Sequence, residues 1–440
     1  MNTQKNYSLG PFVILTFIYF IVGFLTTVNG QFQSPLKVAF LSGADSLRNT
    51  LTTLISFFFF LGYLFNSSLG GKWINTVGYK KTLLRALSVM VAGLLTYALS
   101  SWIAVHYGEI AMRISGDVVP MGYFIFLLSS YLMGTSAALL QVVINPYVAA
   151  YDLPGTQSVQ RMNIVCAVNS FGTTVAPFFV TGIIFSGVAL ENVTASQLMI
   201  PFLLIAACII TTTLVTSRLN LPDIEGTRIE KGQELKRSIW SFRHLTLGVI
   251  TIFFYCGTEV AVGVNVNLHA MELIGSGHGL SFFGQKHLML WGMDLGIPAL
   301  LATIYWGGLM IGRLIFSFFN QVSPRILLAA MTIIATIFIL VAILTGNLWV
   351  LVSVGLCHSV MWSCIFTLAV KGLGQYTSNA SGVFMMGVFG GAVFPVLQGV
   401  LADLWGSWQW TWIIAIICEL VMLYYALIGS NIRDRECITA

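Results

Sequence analysis

Residues 218–244 read RLNLPDIEGTRIEKGQELKRSIWSFRH, the one long hydrophilic stretch near the middle of a chain otherwise made of apolar runs. On its N-terminal side the uncharged stretches are 6–36, 49–71, 86–108, 118–151, 162–190 and 192–217. A helix needs about 20 mostly apolar residues to cross a bilayer, so each stretch supplies one span. On its C-terminal side the apolar run resumes at His244 and is interrupted only by Glu259, giving a seventh span. Stretch 295–312 gives the eighth. Stretch 326–370 is too long for one helix and breaks naturally at Thr345-Gly346-Asn347, giving the ninth and tenth. Run 372–402 and the stretch from Trp408 to Ser430 supply the last two. The expected fold is an all-α polytopic membrane protein of twelve transmembrane helices. They fall into two six-helix bundles, 1–217 and 244–440, joined by a cytoplasmic linker at 218–243.

Composition agrees. The 440 residues are 57% hydrophobic and 8% charged, with a mean hydropathy of +0.86. A soluble domain carries about 25% charged residues, so a soluble enzyme, a nucleic-acid binder and a disordered scaffold are excluded. The net charge is +5, and its placement orients the chain, because Lys and Arg collect on the cytoplasmic side. With the N-terminus inside, only Lys37, Arg48, Arg113 and Lys286 of the 21 Lys and Arg fall outside, and Arg313 is counted among the inner ones. Both termini are then cytoplasmic. The N-terminal run PFVILTFIYFIVGFLTTV (11–28) has no AxA-like site and reads as a retained span. The seven cysteines form no CxxC pair, and most sit in apolar runs as small hydrophobes.

Two further patterns organise the spans. FGTTVAP (171–177) recurs as FGGAVFP (389–395), the same FGxxVxP string in the fifth and eleventh helices. Its glycines admit close helix contact and its prolines bend their helices, and its position predicts two parallel repeats. The loop after the second helix runs Gly71-Lys72-Trp73-Ile74-Asn75-Thr76-Val77-Gly78-Tyr79-Lys80-Lys81. It resembles the GxxxDxxGxRK loop of the major facilitator superfamily, with Asn75 in the aspartate's place. In that family the loop braces helix ends while the bundles rock. An asparagine can only hydrogen-bond, so the family's charge latch is lost here. Arg161 with Asn163 is read as a second cytoplasmic latch.

A closer resemblance is spread over both halves. It is carried by Asn29-Gly30, LQVVINPYV (140–148), RMN (161–163) leading into NSFG (169–172), and FYCGTEVA (254–261). The rest lies in IFTLAVKGLG (365–374), GGA (390–392) and Gln398-Gly399 to Ala402-Asp403. The chain is similar to the fucose:proton symporter family of that superfamily, particularly its glucose/galactose branch. The resemblance implies uptake of a monosaccharide across a bacterial inner membrane. Fucose members carry an aspartate after the asparagine matched by Asn29 and a glutamate at the position of Gln141. This chain has Gly30 and Gln141, as the glucose/galactose branch usually does. Their glutamine one turn before Asn169 is Cys166, and their sugar-contacting tyrosine is Trp362.

The polar residues of the spans suit a sugar independently of the resemblance. Amide side chains meet hydroxyls as donor and acceptor, and an aromatic such as Trp362 or Trp306 covers a C–H face. Glu259 lies mid-span, where a carboxylate is expensive and a functional hypothesis by default. Asn267 lies eight positions on, roughly on the same side, with Gly263 leaving space between them. Glu419 is also mid-span and is expected to be protonated or snorkelling. His358, His269, His278 and His287 show no metal-ligand spacing, and no nucleophile–base pair appears. The expectation is a monomeric, non-enzymatic hexose symporter without cofactor or metal, whose partners are sugar and membrane lipid and not nucleic acid. Substrate is read onto Asn29, Gln141, Asn169, Glu259, Asn267 and Trp362. Coupling is read onto Glu259, with H⁺ ahead of Na⁺, and gating onto Gly71, Asn75, Gly78, Lys80, Lys81 and Arg161. The alternatives are a fucose or N-acetylhexosamine symporter, a sugar uniporter, a membrane-embedded enzyme and a non-transporting sensor.

Overall fold

The computed structural model describes residues 9–432 apart from 33–35, 37–38, 42–47, 115–116, 152, 181–183, 185–192, 223–236, 278, 286, 291–292 and 319–321. Its long helices are α1 (Leu9–Gln31), α2 (Arg48–Val77), α3 (Tyr79–His106), α4 (Met121–Ala150), α5 (Ser158–Phe179) and α6 (Ser196–Arg218). Then come α7 (Arg243–Gly275), α8 (Ile297–Ser317), α9 (Pro324–Thr345), α10 (Leu348–Val370), α11 (Gly374–Ala402) and α12 (Gln409–Gly429). Among the described residues, 11 helical stretches are long and apolar enough to span a membrane. The remaining long helix is α5, whose first turns carry Gln160, Arg161 and Asn163. The centre of the hydrophilic mid-chain segment, 223–236, lies outside the described residues.

Local chemistry accounts for the breaks. At the end of α9, Gly346 adopts a left-handed φ of 69°, a conformation that costs glycine no Cβ clash. Asn347 then caps α10, its side chain accepting from the Trp349 amide at 2.9 Å. Gly78, with φ 84°, separates α2 from α3. Inside α10 the chain turns at Ser359–Val360, between helical segments Leu348–His358 and Met361–Val370. Two antiparallel hairpins fall between spans, Ala111–Ile114 with Asp117–Pro120 and His287–Leu290 with Met293–Gly296. No sequence signal announced them.

Packing shows the repeat directly. In the first half, α1 packs on α5, α2 on α4, and α3 on both α4 and α6. Six helices later the same pairs return: α7 on α11, α8 on α10, and α9 on both α10 and α12. The FGxxVxP glycines explain the first of these pairs. A Cβ at Gly172 would lie 2.5 Å from the Phe20 carbonyl oxygen of α1, and one at Gly390 would lie 1.8 Å from that of Phe253 in α7. Each glycine lets backbone touch backbone at the equivalent crossing. The halves meet through α2 against α11 and α5 against α8, again a symmetric pair of contacts. Exposed side chains such as Leu204, Leu214, Ile326, Leu344 and Val396 form the apolar outer surface, as lipid solvation requires. Contacts group one set of helix ends, Asn75 with Asn379, Arg161 with the Val148 carbonyl, His244 with the Lys371 carbonyl and Arg325 with the Ala426 carbonyl, hereafter the basic end.

Candidate substrate and coupling site

Glu259 is the centre of the most developed polar cluster. Its Oε1 accepts from the Tyr255 hydroxyl at 2.7 Å, one turn back on α7, and from Arg313 Nη2 of α8 at 3.4 Å. Both ionic side chains are largely withdrawn from solvent, 8% exposed for Arg313 and 14% for Glu259. Arg313 reaches further. Its Nε donates to the Ser359 carbonyl at the turn in α10, at 3.1 Å. Its Nη1 crosses to α5 in the other half, donating to the Cys166 carbonyl at 3.2 Å and to the Ser170 hydroxyl. One guanidinium thus ties the Glu259 carboxylate to the α10 turn and to the opposing bundle. Its planar fork of donors suits this multiple role.

This corrects the placement of Arg313 at the inner face. The uncharged run ends at 312, but the LIFS sequence that follows Arg313 continues the helix to Ser317. The charge is therefore inside the span, and the signal was the apolar sequence on its far side.

The other candidates divide between the halves. Gln141 of α4 is buried and donates to the Tyr63 hydroxyl of α2 at 2.7 Å. Trp362 follows the α10 turn directly and is buried beside Tyr255 and Phe384, with ring centroids 6.3 and 6.1 Å away. Its indole Nε1 has no hydrogen-bond partner among the described residues. Next to it, Ser363 reaches the Cys166 sulfur of α5 at 4.0 Å. Asn29 is buried within the first half, its Oδ1 accepting from Ser130 at 2.8 Å and from Tyr97. Asn169 donates to the Tyr19 carbonyl at 2.7 Å. These two amides brace α1 against α3, α4 and α5. Asn267 lies on α7, and its side chain is outside the described residues. The space expected at Gly263 is filled by Trp306, whose Cζ2 would lie 2.4 Å from a Cβ there.

The residues expected to gate lie at the basic end and make two kinds of contact. Asn75 donates to Asn379 Oδ1 at 2.6 Å and accepts from Ser378 at 2.5 Å, joining α2 to α11. The amide replaces the missing charge latch with paired hydrogen bonds. Gly71 is pressed against the same segment, since a Cβ there would lie 2.6 Å from the Ser378 carbonyl oxygen. Arg161 acts locally. It donates to the Val148 carbonyl at 2.9 Å and the Ala149 carbonyl at 2.7 Å at the end of α4, and to Thr156 at 2.9 Å. A cation at a helix C-terminus is favourably placed. Lys80 and Lys81 lie in the first turn of α3.

A second ionisable pair escaped the sequence reading. His358 Nε2 and Glu419 Oε1 are 2.7 Å apart and both side chains are fully buried. Glu419 is paired across helices and does not snorkel. A separation of 61 positions leaves no sequence spacing by which to find the pair.

Comparison with known proteins places this arrangement. Residues 12–394 match the model of the Major Facilitator Superfamily. The glucose/galactose transporter of Brucella abortus is 31% identical over 98% of this chain and 96% of its own length. The putative glucose/galactose transporter of Helicobacter pylori strain J99 is 29% identical over 99% of this chain and 100% of its own. The crystal structure of the Escherichia coli fucose:proton symporter superposes with a TM-score of 0.75 at 20% identity, covering 96% of this chain and 99% of that one. Paired six-helix repeats, the α2–α3 loop and a family match over most of the length converge on one assignment: the chain belongs to the Major Facilitator Superfamily.

Proposed function

We propose that this protein imports a hexose of the glucose/galactose class by alternating access, in symport with H⁺, across a bacterial inner membrane. Bundles 1–217 and 244–440 rock about a central site, 218–243 links them in the cytoplasm, and both termini are cytoplasmic. The relatives named as glucose/galactose transporters support the substrate class. Gln141 in place of an acid and Trp362 beside the α10 turn supply an amide and an aromatic face for a pyranose. Asn29 and Asn169 already hold backbone or neighbouring hydroxyls. Their part is to shape the site, leaving Gln141, Glu259, Asn267 and Trp362 as the contacting candidates. The protein acts as a monomer.

The observation that carries the coupling is Arg313, which holds Glu259 on one side and the α5 backbone on the other. Ionised Glu259 keeps the guanidinium in place by charge. Protonation removes that attraction and frees Arg313 to redistribute between its remaining acceptors, all of which lie on the α10 turn or on the opposing bundle. A proton on one side chain thereby biases the contact between halves. The guanidinium so close to Glu259 repels a metal cation, which favours H⁺ over Na⁺ at this carboxylate. The α2–α11 contact through Asn75, Gly71 and Ser378 makes this a conformation closed at the basic end. The test is uptake into proteoliposomes of labelled D-glucose, D-galactose, L-fucose and N-acetylglucosamine, under an imposed proton or sodium gradient. Accumulation of glucose or galactose driven by protons alone is expected. Amino acid or drug transport with no competition by any sugar refutes the reading.

A further inference from the structure

The His358–Glu419 pair has no role in that mechanism, yet it is joined to the same turn of α10. His358 is the last residue of the first α10 segment, and Trp362 is the second residue of the next. The carbonyls at the turn are held by the two partners of Glu259: His358 O accepts from Tyr255 at 3.0 Å, and Ser359 O accepts from Arg313 at 3.1 Å. The imidazole of His358 makes two further bonds, Nδ1 with the Tyr305 hydroxyl of α8 at 2.7 Å and Nε2 with Glu419 Oε1 of α12 at 2.7 Å. The other carboxylate oxygen, Glu419 Oε2, is buried with no partner among the described residues.

Counting protons decides what this pair can be. With one shared proton it is neutral overall, whether as imidazole and carboxylic acid or as imidazolium and carboxylate. Without that proton it is a net anion with an unsatisfied oxygen, in an interior where a lone buried charge is strongly penalised. The groups facing it offer little compensation. From α7 they are Tyr255 and Glu259, and from α8 Tyr305 and Arg313, the last already engaged by Glu259. α10 itself brings Cys357 and α12 brings Cys418, both buried thiols beside Glu419. α9 packs on both partner helices but carries only Arg325, at the basic end, where it donates to the Ala426 and Leu427 carbonyls. Loss of the proton therefore demands that α10 or α12 shift to hydrate or rebond the carboxylate, and the turn next to Trp362 is the place able to move.

We propose that His358 and Glu419 form a second proton-binding site, distinct from Glu259, whose occupancy sets the α10 turn and hence the presentation of Trp362. Glu259 and Arg313 couple the gradient to rocking, and His358 and Glu419 make sugar affinity depend on pH. The link to sugar rests on the transport reading above, but the proton site itself does not.

Two measurements on purified full-length protein separate them. Infrared spectra recorded across a pH series without sugar should show a titrating carboxyl band from a solvent-excluded acid, recognised by slow exchange in D₂O. The band should persist in Glu259→Gln and vanish in Glu419→Gln. Its disappearance in Glu259→Gln, or survival in Glu419→Gln, overturns the proposal, whatever the protein transports. Should Glu419→Gln not fold, the Glu259→Gln spectrum decides alone, with His358→Gln expected to displace the same titration. Calorimetric binding of D-glucose and D-galactose then tests the link. Affinity should vary with pH in wild type, and the variation should flatten at least several-fold in His358→Gln. Unchanged pH dependence in His358→Gln overturns the link to Trp362, whereas no binding of either sugar to wild type counts against the transport reading only.

Discussion

Arg313→Met tests whether Glu259 and Arg313 act as one unit. The substitution keeps an apolar chain but leaves Glu259 with Tyr255 alone, and it strips a donor from the Cys166 and Ser359 carbonyls and from Ser170. At the observed 3.4 Å, two unit charges attract by about 5 kcal/mol at an effective dielectric constant near 20. Removing one partner of a buried pair costs roughly 3–5 kcal/mol, much of it the stranded charge. Glu259→Gln is milder, because Arg313 retains three other acceptors. The double variant strands no anion, so it should be less destabilised than the sum of the singles by roughly 1–3 kcal/mol. The assay is thermal unfolding in detergent, followed by tryptophan fluorescence and read as a rank order of midpoints, since a twelve-helix protein need not unfold in two states. Arg313→Met should unfold earliest, with partial recovery on adding Glu259→Gln. Midpoint shifts that simply add across the four proteins would refute the pairing.

Three other expectations follow from single contacts. Gly390→Ala forces a Cβ to within 1.8 Å of the Phe253 carbonyl oxygen, so it should abolish folded protein in the membrane, visible as loss of the monodisperse peak on size exclusion. Asn75→Ala removes two hydrogen bonds to α11, each contributing about 1 kcal/mol, and should open the basic end. A cysteine replacing buried Ser381, in a background without other cysteines, should then react at least about tenfold faster with an impermeant thiol reagent. Trp362→Ala should lower hexose affinity about tenfold by calorimetry, from roughly 1–2 kcal/mol of lost apolar contact, while Trp362→Phe keeps most of it.

Elements fixed by local chemistry were readable in the sequence. The break at Gly346-Asn347 sits where a left-handed glycine and a capping asparagine place it. The FGxxVxP strings mark equivalent crossings because glycine alone permits those carbonyl contacts. Glu259 stood out because a mid-span carboxylate must have a reason. Its partner did not, because reading spans from charge to charge places every arginine at a helix end, and Arg313 is the exception. Residues joined only by the fold were equally silent: Asn29 with Tyr97 and Ser130, Asn169 with the Tyr19 carbonyl, and His358 with Glu419. Intramembrane amides bridge helices as readily as they bind ligands, and only the packing tells which they do.

The most direct test of the account is Glu259→Gln in proteoliposomes, because the amide keeps the shape of a protonated carboxyl and cannot ionise. Two rates are compared with wild type: accumulation of labelled hexose under a proton gradient, and exchange of labelled for unlabelled hexose with no gradient. The account predicts that accumulation falls to the level of equilibration while exchange continues. A Glu259→Gln protein that concentrates sugar as wild type does would contradict the assignment of coupling to Glu259.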